Sequence, residues 1–509
     1  MKGSRIVVVV LVAGLVAAMA LGFDGRPSAT SAGLEAPPIP SAGQPGALSS
    51  TWYCAAANAA AEAPLQHDLY LVNPAGEVVT ATLSAYNEAG HIGTSDVEVA
   101  ASGSTRVDVN ATFGGPGLSV MAESPSAELL VEHRISGEQL ADQVPCATNS
   151  SDRWYFPAQT SLSNTSIRTA AQLYLFNPFA EDASVDVSAA LPDSINAPQE
   201  LQGIVVPARS ARVLDLSTAA ARRDQFAVAV ETRRGQIVAE TSQFQTSGGT
   251  DEIPATRGVR LTLGVSTPAS DLAFAEGFTG TGVGERLVVY NPGAETARVL
   301  VQVTPYGASD LPPEPFELEV PSRRYSELDL SAETRIPGEG LHAMRVQTDP
   351  DTPVVAGRVV TVFDAAPAPS TEGIVGRPGL TRGLADGTAT PVAATLWAMT
   401  GVDVGPQRSA TVAVFNPGAG TVRFSATVLG GPQDGTVLAD AVEVAPGDSV
   451  AVDSSSVEFD DAAVTVQVEA TGPVVVERTL AWSDVNDLSM GLAIPTPRDG
   501  AQLVELGER

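Results

Sequence analysis

The sequence predicts an all-β protein: four tandem immunoglobulin-like, or fibronectin-III-like, β-sandwich units after an N-terminal hydrophobic helix. Three observations carry this expectation. The tetrads Leu71-Val72-Asn73-Pro74, Leu175-Phe176-Asn177-Pro178, Val289-Tyr290-Asn291-Pro292 and Val414-Phe415-Asn416-Pro417 each close one apolar run and open another. An aspartate follows each copy at nearly constant distance, as Asp108, Asp215, Asp329 and Asp453. Between these landmarks apolar residues alternate with period two and turn residues recur about every eight to twelve positions, the profile of about seven short strands per hundred residues.

The elements follow in chain order. Met1-Lys2-Gly3-Ser4-Arg5 is a short basic head, and the run from Ile6 to Phe23 has no charge. Residues 1–23 therefore read as an export segment. The run is at the lower edge of a membrane span and Ala18-Met19-Ala20 offers a small-x-small cleavage site, which leaves both a transmembrane signal anchor and a cleaved signal peptide open. Either way the chain is expected to be exported, secreted or membrane-anchored outside the cytoplasm. Residues 24–50, rich in Pro, Gly, Ser and Ala, read as a disordered linker.

Sandwiches are expected over 51–150, 151–267, 268–366 and 393–497, with a linker over 367–392 and a tail over 498–509. The second copy shows the pattern best. Trp154-Tyr155-Phe156 opens it, 171–176 runs into the Asn-Pro corner, and 183–188 alternates as the return strand. Proline stops the strand at that corner because it brings no ladder donor. Val206-Pro207 then turns into 212–216, and 226–230 with 237–240 makes a last hairpin. Successive corners are 104, 114 and 125 residues apart. The longest insertion falls at 367–392, where the fourth unit is expected to move independently. Propeller blades need only about 40 to 50 residues each, so beads on a string are the expected arrangement.

The formal charge of −30, with Lys2 the only lysine, argues against nucleic acid as a partner and leaves no polybasic patch for a membrane surface. Membrane contact is expected only through residues 1–23 if they are uncleaved. Cys54 and Cys146 are the only cysteines and bracket the first unit; in an exported chain such a pair reads as a disulfide.

Glu132, Glu240 and Glu477 occupy matching places in the last strand of their copies, where the third copy has Gly357. With Asp108, Asp215 and Asp453 they give paired carboxylates, which a glycosidase needs. Their repetition in separate units instead points to a corner or edge device that bonds backbone or an arginine. Asn73, Asn177, Asn291 and Asn416 read likewise as structural turn residues. The histidines, His67, His91, His133 and His342, form no close pair in the sequence, and no His-Glu-x-x-His, P-loop or Gly-x-Ser-x-Gly elbow occurs. No catalytic residue, cofactor or metal is expected. Trp52, Trp154 and Trp397 are either core residues or the platform of a sugar-binding face.

The order Trp-Tyr-Phe, Tyr-Leu-Phe-Asn-Pro, Val-Pro-Ala-x-Ser and Pro-Val-Val-Val-Glu-Arg, the last at 473–478, resembles a repeated module of exported actinobacterial proteins grouped as a domain of unknown function. The resemblance spans roughly 50–490, and Gly357 departs from it. It implies a cell-envelope setting by association with envelope glycosyltransferases. The expectation is a non-enzymatic envelope protein acting as a structural or binding module, its partner an envelope glycosyltransferase or cell-wall polysaccharide. The alternative is an accessory or enzymatic factor in envelope polysaccharide assembly, with its site in an acidic cleft between domains.

Overall fold

Every Asn-Pro corner ends a strand, and the buried asparagine joins that end to a distant turn. The Asn177 side-chain amide donates to the carbonyls of Glu181, Val206 and Pro207 at 2.8, 3.0 and 3.2 Å, while Oδ1 accepts from the Phe179 N–H at 3.1 Å. Asn73 does the same with Glu77, Val99, Ala100 and Ala75. Asn291 bonds Glu295, Val320 and Gly293, and Asn416 bonds Gly420, Val444 and Gly418. Asn177→Ala is expected to cost about 2–4 kcal/mol, because it strands buried carbonyls as well as losing bonds. Urea unfolding checks this; a midpoint equal to that of the parent chain would show the corner to be dispensable.

The computed structural model describes residues 38–507 apart from 44–46, 56–57, 59–64, 250–254, 309–310, 364–379, 406, 455–456, 458–461 and 499. It is all-β, 62% strand and 4% helix, in several separate sheets. The first eight strands are β1 (Ser50–Cys54), β2 (Gln66–Asn73), β3 (Val79–Asn87), β4 (Gly90–Val99), β5 (Gly103–Asp108), β6 (Ser119–Ser124), β7 (Leu130–Gly137) and β8 (Leu140–Pro145). They pair antiparallel as two sheets of order β1-β6-β3-β4 and β5-β2-β7-β8. Stretches 153–263 and 271–388 repeat both orders. In 392–505 the two layers merge into one nine-stranded sheet, because the strand Ala462–Trp482 is long enough to pair in both.

Apolar side chains fill the space between layers. Trp52, Trp154 and Trp397 are buried, and their indole N–H groups donate to Leu129, Ile237 and both Ala394 and Val474 carbonyls. They form core, and none presents a sugar-binding face. The Cys54–Cys146 disulfide, with Cα atoms 4.7 Å apart, ties the end of β1 to the residue after β8.

The beads-on-a-string expectation is overturned: Pro38–Arg509 is one compact unit. The last strands of the stretches, β8, Thr256–Leu263, Gly383–Thr388 and Asp487–Leu492, lie around one axis, each packed against its two neighbours in cyclic order, with Thr256–Leu263 also meeting Asp487–Leu492 across it. Ala141, Leu261, Leu384 and Leu488 on these strands are apolar and buried, so burial of the strands replaces exposed linkers.

Three boundaries change for the same reason. Within the expected 24–50 linker, Ser41 and Ala42 are buried, the Ala42 N–H donates to the Pro495 carbonyl at 3.0 Å and the Gly43 N–H to Ala127 at 2.7 Å. Within the expected 367–392 linker, Gly383–Thr388 is an axial strand paired with Val355–Val362. Within the expected tail, Leu503–Glu505 pairs with 392–394 and Leu506 is buried. The expected export segment, 1–23, lies outside the described residues; among the described residues no helix is long and apolar enough to cross a membrane.

Candidate functional site

The recurrent glutamates meet at the joints between stretches, and the geometry there is cyclic. At three joints, one stretch offers a side chain from its next-to-last strand and a backbone N–H from its first strand or, at Ala55, from the residue after it. Both close on the glutamate of the stretch that follows. Glu240 receives the Ala55 N–H at 3.0 Å and His133 Nε2 at 2.7 Å. Glu477 receives the Glu276 N–H at 2.8 Å, with Arg358 Nη1 at 3.2 Å. Glu132 receives the Thr400 N–H at 3.0 Å and an Arg478 fork, Nη1 to Oε1 at 2.8 Å and Nη2 to Oε2 at 2.5 Å. The ring closes there, between the last stretch and the first.

The remaining joint has lost all three groups together. Gly357 stands in the glutamate's place, and a Cβ there would lie 2.7 Å from Pro157 Cγ. Pro157 brings no N–H, and Thr241, which follows Glu240 as His133 follows Glu132, brings no charge. Apolar packing takes over: Tyr155 and Tyr290 rings lie 5.8 Å apart beside Val288 and Val355. A buried ion pair can be exchanged for packed apolar residues with little loss.

The recurrent aspartates are elsewhere. Asp108, Asp215 and Asp329 are exposed strand-end caps that accept the N–H of Ala111, Ser217 and Ser331, and the Ala111 bond lowers the Asp108 carboxyl below its ordinary value. Asp453 ends the equivalent strand, Ser449–Asp453. The fold thus separates Asp108, Asp215 and Asp329 at exposed turns from the glutamates in buried joints, and the aspartates and glutamates do not converge on one cleft.

The sequence reading missed the acids on the axis. The Asp487 carboxylate accepts N–H groups from Ala141, Val259, Leu384 and Leu488, at 3.1, 3.2, 3.0 and 3.0 Å, and so touches all four axial strands. Asp142 accepts the Leu261 N–H, and Asp386 accepts Thr262 Oγ1 at 2.5 Å. Burial pushes Asp142, Asp386 and Asp487 up from the usual carboxylate range; Asp386 adds to the rise at Asp142, whereas Arg260 opposes the rise at Asp386 and the four N–H groups oppose it at Asp487. The same burial pulls the Arg260 guanidinium down.

Beside the Glu477 joint, burial pushes Glu276 up to about 8, against a Thr479 Oγ1 hydrogen bond at 2.8 Å and the charge of Arg358. Such an acid holds its proton when folded and releases it when unfolded, so its favourable contribution is complete below about pH 4.5 and is lost as pH rises towards 8. Stability is expected to fall by about 2–4 kcal/mol between pH 5 and pH 8 from this group. Glu276→Gln should flatten that part of the profile in denaturant titrations; an unchanged slope would show that Glu276 does not titrate in that range.

One open cleft, about 390 Å³ in volume, lies where the first and last stretches meet. Arg134 sits there between the Tyr70 and Trp482 rings and forks onto Gln143 Oε1, while Arg106 pairs with Asp68 at 2.7 Å and Arg408 with Asp484 at 2.9 Å. Each ion pair lies within one stretch, and Arg134 crosses the seam, over the Trp482 ring and to the Gly401 carbonyl at 2.8 Å. Among the described residues no cluster of three or more His, Cys, Asp or Glu is placed to hold a metal ion.

The molecule is therefore an all-β protein with buried acids at its joints and one disulfide. The profile of a family of unknown function, DUF5719, matches residues 142–365. No curated protein matches the chain. Among solved structures, the Anabaena sensory rhodopsin transducer is similar at 25% identity, covering 18% of this chain and 88% of its own, with a TM-score of 0.16. Thermotoga maritima 1070 is similar at 15% identity over 23% of this chain and 94% of its own, with a TM-score of 0.19. At such TM-scores neither likeness bears on function.

Proposed function

We propose that the protein is a non-enzymatic scaffold of the cell envelope: four copies of one immunoglobulin-like sandwich, closed into a ring and exported behind residues 1–23, presenting its outer surface to cell-wall polysaccharide or an envelope glycosyltransferase. One observation supports this most. Glu132, Glu240 and Glu477 each accept a backbone N–H and face an arginine or histidine of the preceding stretch, so the recurrent carboxylates serve the joints and are not poised as an acid and a base. A glycosidase needs two carboxyls about 5–9.5 Å apart across an open cleft, and burial removes these from any substrate.

The test is incubation of the purified chain with cell-wall polysaccharide and with peptidoglycan, reading new reducing ends, beside co-sedimentation with the same polymers. Co-sedimentation without turnover is the expected result. Turnover that disappears in a Glu240→Gln or Glu477→Gln variant that still folds would falsify the noncatalytic reading and favour a factor that acts on envelope polysaccharide.

A further inference from the structure

The joint that holds Glu240 differs from the other charged joints in the side chain that meets its glutamate. Where the two other charged joints use Arg358 and Arg478, this one uses His133, and behind it stands a second imidazole. His133 Nδ1 lies 3.2 Å from His67 Nε2, with both rings fully buried. A carboxylate can only accept, so Nε2 of His133 carries a proton towards Glu240, and in the neutral pair Nδ1 accepts from His67 Nε2–H. The contact between the rings has room for one proton. If both imidazoles are fully protonated, two N–H groups point at each other across 3.2 Å, and one of two buried positive charges lacks a counter-ion.

Among the described residues, Glu240 from the neighbouring stretch, with Tyr174 on the strand beside it, and His67 from β2 are the titratable groups at His133. Burial and the nearness of His133 hold His67 well below its ordinary value, which agrees with the geometric conflict. The other two charged joints carry guanidinium groups in place of imidazoles, and the Gly357 joint has no charge to change.

We propose that the His67–His133–Glu240 joint is an acid-released clasp: acidification drives a second proton onto the imidazole pair, parts the rings and loosens this joint while the arginine joints and the apolar joint stay closed. The ring then opens at one defined place, between 50–147 and 151–265. This goes beyond the scaffold reading and does not depend on whether the chain binds polysaccharide.

The test is native-state amide hydrogen exchange on the whole exported chain at pH 7 and pH 5, corrected for intrinsic exchange, read by mass spectrometry. Protection in 66–73, 130–137 and 238–247 is expected to fall at least tenfold at pH 5, with no comparable fall in 355–362 or 475–480. His133→Arg, which copies the other joints, should abolish the fall. His67→Gln, which removes the second ring and leaves the His133 pair with Glu240, should abolish it as well and serves if the arginine does not fit. An equal fall at every joint, no fall at all, or a fall that persists in the folded variants overturns the proposal.

Discussion

Arg478→Met is expected to lower the unfolding free energy by about 3–5 kcal/mol, the scale of leaving one member of a buried ion pair without its partner. Arg478 and Glu132 are both fully buried and joined by two bonds. They connect stretches that are not neighbours in the chain, so their loss weakens the closure of the ring as well as one contact. After the substitution Glu132 keeps only the Thr400 N–H and Gln143 Nε2, the latter at 2.9 Å. Adding Glu132→Gln removes the stranded charge and should recover part of the loss. Guanidinium unfolding of the parent, single and double variants checks both points. A double variant no more stable than Arg478→Met would show that the cost is packing and not charge.

Gly357→Glu is expected to destabilise by at least about 4 kcal/mol even though it restores the residue found in the other three copies. The new Cβ would overlap Pro157, 2.7 Å from Cγ, and overpacking of this kind costs about 1–3 kcal/mol. The new carboxylate would also be buried with neither the N–H that Pro157 lacks nor a cation, since Thr241 supplies none. Pro157→Ala together with Thr241→Arg should rescue the variant by rebuilding the joint. Thermal unfolding of the single and triple variants measures this; a single variant as stable as the parent would mean that the Gly357 joint is loose enough to admit the side chain.

Much of the local fold was legible because its causes are local. Period-two alternation marked the strands, and proline after asparagine marked the corners. The two cysteines had only each other to pair with. The distinction between Asp108 and Glu132 was less accessible. Both recur and both are acidic, yet one caps an exposed turn and the other crosses a joint. That difference lies in which face of a sheet meets another sheet, and spacing along the chain carries no record of it. The loss of Glu at 357 was visible, but its companions Pro157 and Thr241 lie far away in sequence and become partners only when the ring closes.

The pairing of His67 with His133 and the convergence of Ala141, Val259, Leu384 and Leu488 on Asp487 escaped the sequence for the same reason. The linkers depart from expectation in the opposite direction. The segment Gly383–Thr388 looks like a spacer by composition, but small residues there allow four strands to meet at one axis: a Cβ on Gly383 would lie 2.4 Å from Leu488 Cδ2.

By itself the sequence determined the all-β class, the recurring corners and the disulfide, because turn chemistry, alternation and the number of cysteines act within or between single elements. Only the tertiary structure decided that the stretches close on one another, which acids are buried between them and which joint carries histidine in place of arginine. Those outcomes depend on desolvation and on contacts between residues a hundred or more positions apart, and a charge's environment exists only once the surfaces that exclude water from it have come together.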